Sequence, residues 1–334
     1  MRVSGYQNVY KRKQVQSYMG NQSAIITGGC GFLGSNLAQR LIVNNYDVSL
    51  IISPEENREN IRGIEDKVKI IQKKIRPDQN FGNVLANKDY LFHFAWQTDL
   101  KKSMKNPSED IYYDLGGLIK ILEDCRDHNP KIKIIFPSTV TVAGDEQNIP
   151  ANEKEMTNPL SIYDTNKLAA ENYLNIYFKN YGINFSCLRL SNVFGERQKI
   201  DNPERGVVNF MIGRALHGEK MNIYGDGNWI RDYSYMQNFV DAFVLAAESK
   251  KTNGETYVLG SGKGRTFNEV ISTIGKTTKE FTGRDIEVSH IPFPEGTHQI
   301  NKRDFIADSS KFRLDTGWEP KISFEEGIRR TIDF

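Results

Sequence analysis

The fold is decided by a glycine-rich stretch, Thr27-Gly28-Gly29-Cys30-Gly31-Phe32-Leu33-Gly34, in which Gly28, Gly31 and Gly34 are three residues apart. An apolar run typical of a buried β-strand precedes it, and an amphipathic helical pattern follows. A dinucleotide pyrophosphate needs a tight turn, a backbone that allows close approach, and a helix whose first N–H groups face the phosphates. The stretch therefore predicts a dinucleotide-binding loop that includes Phe32 and Leu33. Ordinary close packing of a helix on a strand is the alternative interpretation.

Short apolar runs alternate with amphipathic stretches from Ser23 to Leu190. This alternation is typical of βαβ units whose helices cover both faces of a parallel sheet. We therefore predict an α/β fold, a Rossmann-type doubly wound parallel sheet with a smaller mixed α/β lobe that binds the substrate. The predicted strands are Ala24–Thr27, Val48–Ile52, Val68–Ile71, Tyr90–Phe94, Ile132–Pro137 and Asn184–Leu190. The predicted helices are Leu33–Val43, Ile111–Arg126, Ser161–Lys179, Val207–Leu216, Val240–Ser249, Phe267–Lys279 and Phe324–Ile332.

Three regions are expected along the chain. Residues 1–20 are predicted to be an N-terminal tail, because they contain three consecutive basic residues and no apolar region of a secretory signal. Residues 21–190 are predicted to form the dinucleotide-binding domain. Residues 191–334 are predicted to be mainly the substrate-binding domain, with a segment near 229–260 returning to the first domain.

The composition excludes several classes of protein. The 334 residues include 44 Lys and Arg against 42 Asp and Glu, so no broad positive charge favours nucleic acid or an anionic membrane. No apolar run approaches the roughly 20 residues that span a bilayer. The 3 cysteines are scattered and the 5 histidines lack metal-ligand spacing, which excludes a disulfide framework and predicts no metal site. A reducing, cytoplasmic location is expected.

A second pattern indicates proton transfer coupled to hydride transfer. Tyr163 and Lys167 are four residues apart on one face of a predicted helix, and Thr139 ends a strand at the sheet edge where open α/β folds bind ligands. A neighbouring ammonium and a positive nicotinamide ring lower the pKa of a tyrosine towards neutrality, and a threonine hydroxyl orients the substrate oxygen. Packing of Tyr163 in an amphipathic helix, and of Thr139 at a strand end, are the alternative interpretations.

Together these features resemble the extended short-chain dehydrogenase/reductase family, specifically its nucleotide-sugar epimerase/dehydratase group, from Asn21 to Asp333. The resemblance is carried by ordered, well-separated motifs. They are the glycine loop, His93-Phe94-Ala95, Ser138-Thr139-Val140-Thr141-Val142-Ala143-Gly144, Tyr163-x-x-x-Lys167, Leu188-Arg189-Leu190-Ser191-Asn192-Val193-Phe194-Gly195, Tyr224-Gly225-Asp226-Gly227, Arg231-Asp232-Tyr233 and Gly317-Trp318-Glu319-Pro320.

The resemblance implies a role for individual residues. Tyr163 becomes the catalytic acid/base, Lys167 its partner on the nicotinamide ribose, and Thr139 the hydroxyl beside the sugar C4 oxygen. Ile75 and Ala95 would join the glycine loop in holding the cofactor. The substrate contacts implied are Asn192 and Arg231 at the diphosphate, and Val208 and Tyr224 near the nucleotide base.

Departures from the group's pattern leave the cofactor open. Ser53 stands at the end of the second strand, where an acidic residue would bind the adenosine ribose, and Lys74 precedes Ile75 where the group has an Asp. The cofactor is therefore NAD or NADP. Val140 and Thr141 replace the Asp-Glu pair of 4,6-dehydratases, which makes a plain dehydratase an unfavourable interpretation.

The favoured interpretation is a nucleotide-sugar 4-epimerase with a transient 4-keto intermediate. An NADPH-dependent reductase of 4-keto-6-deoxy sugars and a non-catalytic nucleotide-binding scaffold are the alternatives. The resemblance also implies a homodimer, in which helices Ile111–Arg126 and Ser161–Lys179 of each subunit form a four-helix bundle.

Overall fold

The computed structural model describes residues 22–145, 148–203, 206–295 and 303–334. The predicted tail, residues 1–20, lies outside the described residues. Within these ranges no helix combines the length and the apolar character needed to cross a membrane.

The strands form one large sheet and two small ones. In chain order they are β1 (Ser23–Thr27), β2 (Asp47–Ile52), β3 (Lys69–Gln72), β4 (Tyr90–His93), β5 (Lys133–Thr139), β6 (Phe185–Leu190), β7 (Asn192–Phe194), β8 (Met221–Tyr224), β9 (Ile230–Tyr235), β10 (Glu255–Leu259), β11 (Gly264–Thr266) and β12 (Val288–Ile291). The large sheet is parallel, with the order β10-β6-β5-β4-β1-β2-β3. The strand order reverses between β1 and β4, which is where open α/β sheets bind ligands.

The helices cover both faces of this sheet. In chain order they are α1 (Phe32–Val43), α2 (Gly82–Leu85), α3 (Leu100–Lys105), α4 (Pro107–Asp110), α5 (Gly116–His128), α6 (Ile162–Tyr181), α7 (Val207–Leu216), α8 (Met236–Glu248), α9 (Phe267–Thr282), α10 (Ser310–Thr316) and α11 (Phe324–Asp333). Alternate residues of β1 enter separate cores, since Ile26 packs with α1 and α8 while Ile25 packs with α5 and α6. The predicted doubly wound α/β fold is confirmed.

The smaller lobe contains mixed sheets. β9 pairs parallel with β7 and antiparallel with β11, and β12 pairs parallel with β8. Of the segment near 229–260, β9 lies in this three-stranded sheet, α8 packs on α1, and β10 pairs with β6 in the large sheet. Thr139 at the end of β5 pairs with Leu190 of β6, and β7, which follows β6 directly, pairs with β9. These pairings bring the ends of β5 and β6 close to β9.

Most predicted elements match within a few residues, but one helix differs. The sequence pattern predicts a helix at Ile111–Arg126, whereas the structure has α4, a π-helical turn at Ile111–Leu115, and α5. Helical structure begins early because Pro107 occupies the first position of α4, where its fixed φ is favourable and its missing N–H costs nothing. The apolar periodicity does not record that start, because the residues of α4 are polar.

Candidate active site

The glycine loop connects β1 to α1 at the point of strand-order reversal. Gly28 has a φ of +68°, and a Cβ there would lie 2.9 Å from the backbone nitrogen of Ala95, so only glycine fits. A Cβ at Gly34 would overlap the carbonyl oxygen of Gly28. Gly31 is the N-cap of α1, which has neither a side-chain cap nor an acidic residue in its first turn. The N–H groups of Phe32 and Leu33 are therefore available to an anion, and the loop fits a pyrophosphate.

A buried hydrogen-bond network fixes the backbone behind this loop. The Thr27 hydroxyl accepts the backbone N–H of Ala95 at 3.1 Å and lies 2.9 Å from Nδ1 of His93. Burial, with a smaller effect from the Lys167 ammonium, lowers the pKa of His93 to about 3. The imidazole is therefore neutral, and its hydrogen bond with the Thr27 hydroxyl, in the direction set by its tautomer, holds β1 and β4 together without burying a charge.

Carboxylates surround the end of β2. The Ser53 hydroxyl donates to Glu55 at 2.5 Å, and its backbone N–H donates to Glu56 at 3.2 Å. Lys74 forms a 2.9 Å ion pair with Glu55, and these contacts hold the pKa of Glu55 at about 2. Burial raises the pKa of Glu56. Two acids from the following turn thus contact Ser53, the residue at which a motif-based comparison finds no acid.

Ile75 lies on the opposite side of the same edge. Its side chain packs against Gly117 of α5, where a Cβ would lie 2.5 Å from the Ile75 methyl group. The position is partly buried between the end of β3 and α5. An apolar side chain there can contact a flat heterocycle, but its adenine contact remains a prediction.

Lys167 is held against the end of β5 by α6. Its Nζ donates to the carbonyl oxygen of Pro137 at 2.7 Å and lies 4.1 Å and 4.3 Å from the ring centroids of Trp96 and Phe136. The Tyr163 ring centroid is 6.0 Å away, as the four-residue spacing predicts. Burial lowers the pKa of Lys167 to about 7, against the opposing effect of the Asp114 carboxylate.

Two carboxylates act on Tyr163, in addition to the Lys167 ammonium. Burial raises the pKa of Tyr163, and the carboxylates of Asp164 and Asp114 raise it further. The phenol oxygen forms no hydrogen bond with the described residues. A positive group bound beside the ring would counter both effects, so the proton affinity of Tyr163 depends on what occupies the cleft.

Thr139 belongs to a chain of hydroxyls that ends at a carboxylate. Its Oγ1 lies 2.7 Å from Oγ1 of Thr141, and the Thr141 hydroxyl donates to Asp164 in a very short hydrogen bond. Asp164 also accepts the Ser161 hydroxyl at 2.7 Å, while Ser161 caps α6 through the backbone N–H of Asp164. Thr139, Tyr163 and Lys167 therefore meet where β5 ends and α6 begins. Neither Thr141 nor Asp164 has an assigned role in the sequence motifs.

A pair of buried guanidinium groups lies beyond this chain of hydroxyls. Arg231 on β9 and Arg303 are each 6% exposed, and Arg303 donates to the carbonyl oxygen of Gly144 at 3.0 Å. Burial, and next the Arg231 charge, lower the pKa of Arg303 to about 9, while burial also lowers the pKa of Arg231. The Arg303 Nε has no partner among the described residues. Two buried like charges, with the unpartnered Nε of Arg303 beside them, fit an anion of high charge, such as a diphosphate.

The other predicted substrate residues lie on three different elements of the smaller lobe. Asn192 is on β7, opposite Tyr233 and two positions from Arg231 across the β7–β9 pairing. Val208 is buried in the first turn of α7, and Tyr224 is exposed at the end of β8, where its ring stacks on Phe293 at 5.9 Å. The structure thus groups Asn192 with Arg231 across one strand pairing, whereas Val208 and Tyr224 lie on other elements of the smaller lobe.

Sequence motifs missed Arg303, because nothing around Asn301-Lys302-Arg303-Asp304 distinguishes it from a surface basic residue. Only the fold brings it to Gly144. Asp232, next to Arg231, accepts hydrogen bonds from Ser261, Gly262 and Ala307, so it fixes loops of the lobe. The described part of the chain contains no group of three or more His, Cys, Asp or Glu side chains that could hold a metal ion.

Known proteins are similar over nearly the whole chain. The family profile described as GDP-mannose 4,6 dehydratase matches residues 25–331. A putative UDP-glucose 4-epimerase of Methanocaldococcus jannaschii is 32% identical over 313 residues, covering 93% of this chain and 97% of that protein. The solved UDP-glucose 4-epimerase of Thermotoga maritima, with UDP-glucose, has a TM-score of 0.83 and 32% identity, covering 93% of this chain and 98% of the other. The Thermus thermophilus UDP-glucose 4-epimerase, in complex with NAD, has a TM-score of 0.80 and 30% identity over 93% and 98% of the two chains.

Proposed function

Since this chain belongs to the nucleotide-sugar epimerase/dehydratase family of extended short-chain dehydrogenases/reductases, we propose that it is an NAD-dependent 4-epimerase of a nucleoside-diphosphate sugar. The resemblance inferred from the motifs is confirmed at the level of the family. The family modifies sugars attached to nucleotides. The proposal selects 4-epimerisation over reduction of a 4-keto sugar and over dehydration.

The observation that carries the proposal is the spacing of two sites along one short segment. Thr139 begins the segment beside Lys167 and Tyr163, and Gly144 ends it at Arg303. An anion held by Arg231 and Arg303 is therefore a few residues of backbone away from the proton-transfer group. This arrangement suits a diphosphate joined to a sugar ring, with the nucleotide extending towards Val208 and Tyr224.

Each residue of the proton-transfer group has a distinct proposed task. Bound NAD would supply a hydride acceptor for C4 of the sugar and return the hydride afterwards. Tyr163 takes the C4 hydroxyl proton and later gives it back. The Lys167 ammonium lowers the proton affinity of Tyr163 and contacts the nicotinamide ribose. The Thr139 hydroxyl contacts the C4 oxygen.

The end of β2 supports NAD over NADP. Glu55 and Glu56 both contact Ser53, and the nearby ammonium of Lys74 already pairs with Glu55. A ribose 2′-hydroxyl can donate to a carboxylate, whereas a 2′-phosphate would meet two negative charges. Glu55 and Glu56 would thus take the place of the acidic residue that is absent at Ser53. NADPH-dependent reduction of a keto sugar loses its main support for the same reason.

Dehydration is unfavourable at this site. Elimination of water from a 4-keto sugar needs an acid and a base beside Thr139, but Val140 is apolar and the Thr141 hydroxyl is engaged with Asp164. The scaffold alternative does not explain a buried lysine aimed at the end of β5.

The direct test supplies the purified protein with UDP-, dTDP-, GDP- or CDP-glucose and either NAD⁺ or NADP⁺, and identifies products by NMR. The proposal predicts the C4 epimer of at least one substrate, with NAD⁺ and without net cofactor reduction. Steady consumption of NADPH with a 4-keto-6-deoxy sugar, and no epimerisation, would support the reductase instead. No reaction with any nucleotide sugar would support the scaffold.

A further inference from the structure

We propose that Thr141 and Asp164 are positioning residues that hold the Thr139 hydroxyl as a hydrogen-bond acceptor, so that the site binds a sugar with a C4 hydroxyl in preference to the 4-ketone. The inference rests on the proposed function, because it concerns the oxygen on which that reaction takes place. It also separates the two reactions that share this catalytic group, epimerisation of an alcohol and reduction of a ketone.

The contacts of Asp164 fix the direction of its hydrogen bonds. Its side chain is buried, and its two carboxylate oxygens contact the hydroxyls of Thr141 and Ser161. A carboxylate only accepts hydrogen bonds. Both hydroxyls therefore donate to Asp164, and the single proton of Thr141 is committed to that bond.

The direction of the bond from Thr141 to Asp164 also fixes the direction of the bond between Thr139 and Thr141. Its oxygen lies 2.7 Å from that of Thr141, a distance that requires a hydrogen bond between them. Thr141 has no proton left to give, so Thr139 donates to Thr141. The backbone N–H of Thr141 also points to the Thr139 oxygen at 3.2 Å and occupies one of its lone pairs. What Thr139 still offers a ligand is one lone pair.

A lone pair distinguishes an alcohol from a ketone. A C4 hydroxyl can donate to it, whereas a carbonyl oxygen presents only lone pairs of its own and meets repulsion. Reversing Thr139 to serve a ketone would break its bond to Thr141 in a partly buried site. For an epimerase this arrangement is useful. The C4 hydroxyl donates its single proton to Thr139 when the sugar binds, and must rotate about the C4–O bond to deliver that proton to Tyr163. Once the proton is on Tyr163, the C4 oxygen no longer has a hydrogen bond to Thr139, and the sugar can turn.

The test measures binding, not turnover, in a Tyr163→Phe background that cannot exchange the proton. Titration calorimetry with NAD⁺ present gives the affinities for glucose and for 4-keto-6-deoxyglucose, each linked to UDP or, if UDP-glucose does not bind, to whichever of dTDP, GDP and CDP gives a glucose conjugate that binds. Adding Thr141→Val frees the Thr139 proton for the ketone, and we expect the alcohol-to-ketone affinity ratio to fall about tenfold, mainly through tighter ketone binding. Thr141→Ala removes the same hydroxyl and is expected to give the same fall if the valine variant folds poorly.

Two control variants isolate the hydrogen-bond direction from general packing. Thr141→Ser keeps the hydroxyl and should keep the parent ratio. Thr165→Val removes another threonine hydroxyl at the start of α6, one that donates to the backbone carbonyl oxygen of Ser161 and is not a member of the hydroxyl chain from Thr139 to the Asp164 carboxylate. It should also keep the parent ratio.

The outcomes separate this inference from the proposed function. Binding of both nucleotide sugars with a ratio unchanged by Thr141→Val and Thr141→Ala would overturn the inference and leave the epimerase proposal standing. Failure of the parent protein to bind any of the UDP-, dTDP-, GDP- and CDP-linked sugars would overturn both.

Discussion

At the scale of single residues, the proposed reaction depends on proton transfer by Tyr163. Replacing Tyr163 with Phe keeps the ring that packs near Lys167 and removes only the oxygen. We expect turnover to fall by about 10²–10⁴, the usual contribution of a general acid/base, and NAD binding to stay nearly the same. The measurements are kcat from product NMR and NAD affinity by calorimetry.

Tyr173→Phe is the matched control, because Tyr173 lies on the same helix and packs against the core instead of the cleft. That variant should keep wild-type turnover. Equal activity of the Tyr163 and Tyr173 variants would exclude the acid/base assignment.

Arg303 provides a second test at this scale. Arg303→Ala removes one of two buried guanidinium groups, and a hydrogen bond to a charged phosphate contributes about 1.5–3 kcal/mol, so UDP-glucose affinity should fall roughly tenfold to a hundredfold. Uridine, which has no phosphate, should lose almost no affinity by comparison. Calorimetric titrations of both ligands give the ratio.

Arg284→Ala is the control for this change in charge, because Arg284 is exposed after the end of α9 and is not a residue of the candidate site. It should leave both affinities unchanged. If Arg303→Ala weakened uridine as much as UDP-glucose, the diphosphate assignment would be wrong.

Individual residues differ in how far the sequence predicts them. The positions of Gly28 in the loop after β1, and of Tyr163 and Lys167 on one face of α6, are predictable because each follows from a local spacing. Arg303 is not predictable, since its partner Gly144 is remote in sequence and only packing joins them. Glu55 and Glu56 lie two and three residues after Ser53, the position at which the family motif has its ribose-binding acid. The motif therefore does not identify them.

At the scale of secondary-structure elements, β1 and β4 are joined by the buried contact between Thr27 and His93. The pKa of His93 is lowered to about 3, below its ordinary value of 6.5. Between these values the unfolded chain binds a proton that the folded chain does not, so stability falls as the pH decreases below about 6.5. At pH 5 the loss from this residue alone is about 2 kcal/mol.

Urea unfolding at pH 7.5 and pH 5.0 measures this loss. His93→Gln removes the titrating group, so the difference in unfolding free energy between the two pH values should be smaller by about 2 kcal/mol than in the wild type. His217→Gln, at an exposed histidine, should keep the wild-type difference. An unchanged difference in His93→Gln would show that His93 is not held neutral.

Elements with a regular pattern are predicted better than those whose start or pairing depends on tertiary contacts. α7 is predicted at its observed bounds because its apolar face is continuous. The break into α4, a π-helical turn and α5 is invisible to periodicity. β9, β11 and β12 were not predicted, since short strands of a small lobe are defined by partners distant in sequence.

At the scale of the whole molecule, the helices on one side of the large sheet leave apolar side chains uncovered. Ile111 and Tyr112 on the π-helical turn and Ile176 and Tyr181 on α6 are each between 42% and 51% exposed. A four-helix bundle formed with a second copy would bury them, as the predicted homodimer requires. Light scattering should therefore give twice the mass of one chain.

Ile176→Glu places a charge in the predicted bundle and should give monomers. Leu314→Glu alters a side chain that is 81% exposed on α10, outside the bundle, and should leave the dimer intact. A monomeric wild-type protein, or a dimer that survives Ile176→Glu, would contradict the four-helix bundle.

The most direct test of the central claim follows the hydrogen at C4. The protein with NAD⁺ is given UDP-glucose carrying deuterium at C4, in ordinary water, and the C4 epimer is examined by NMR. We predict that the product retains the deuterium, because the hydride leaves C4 and returns to the same carbon while Tyr163 handles only the hydroxyl proton. Loss of the deuterium to water, or accumulation of a dehydrated 4-keto sugar in place of the epimer, would contradict the account.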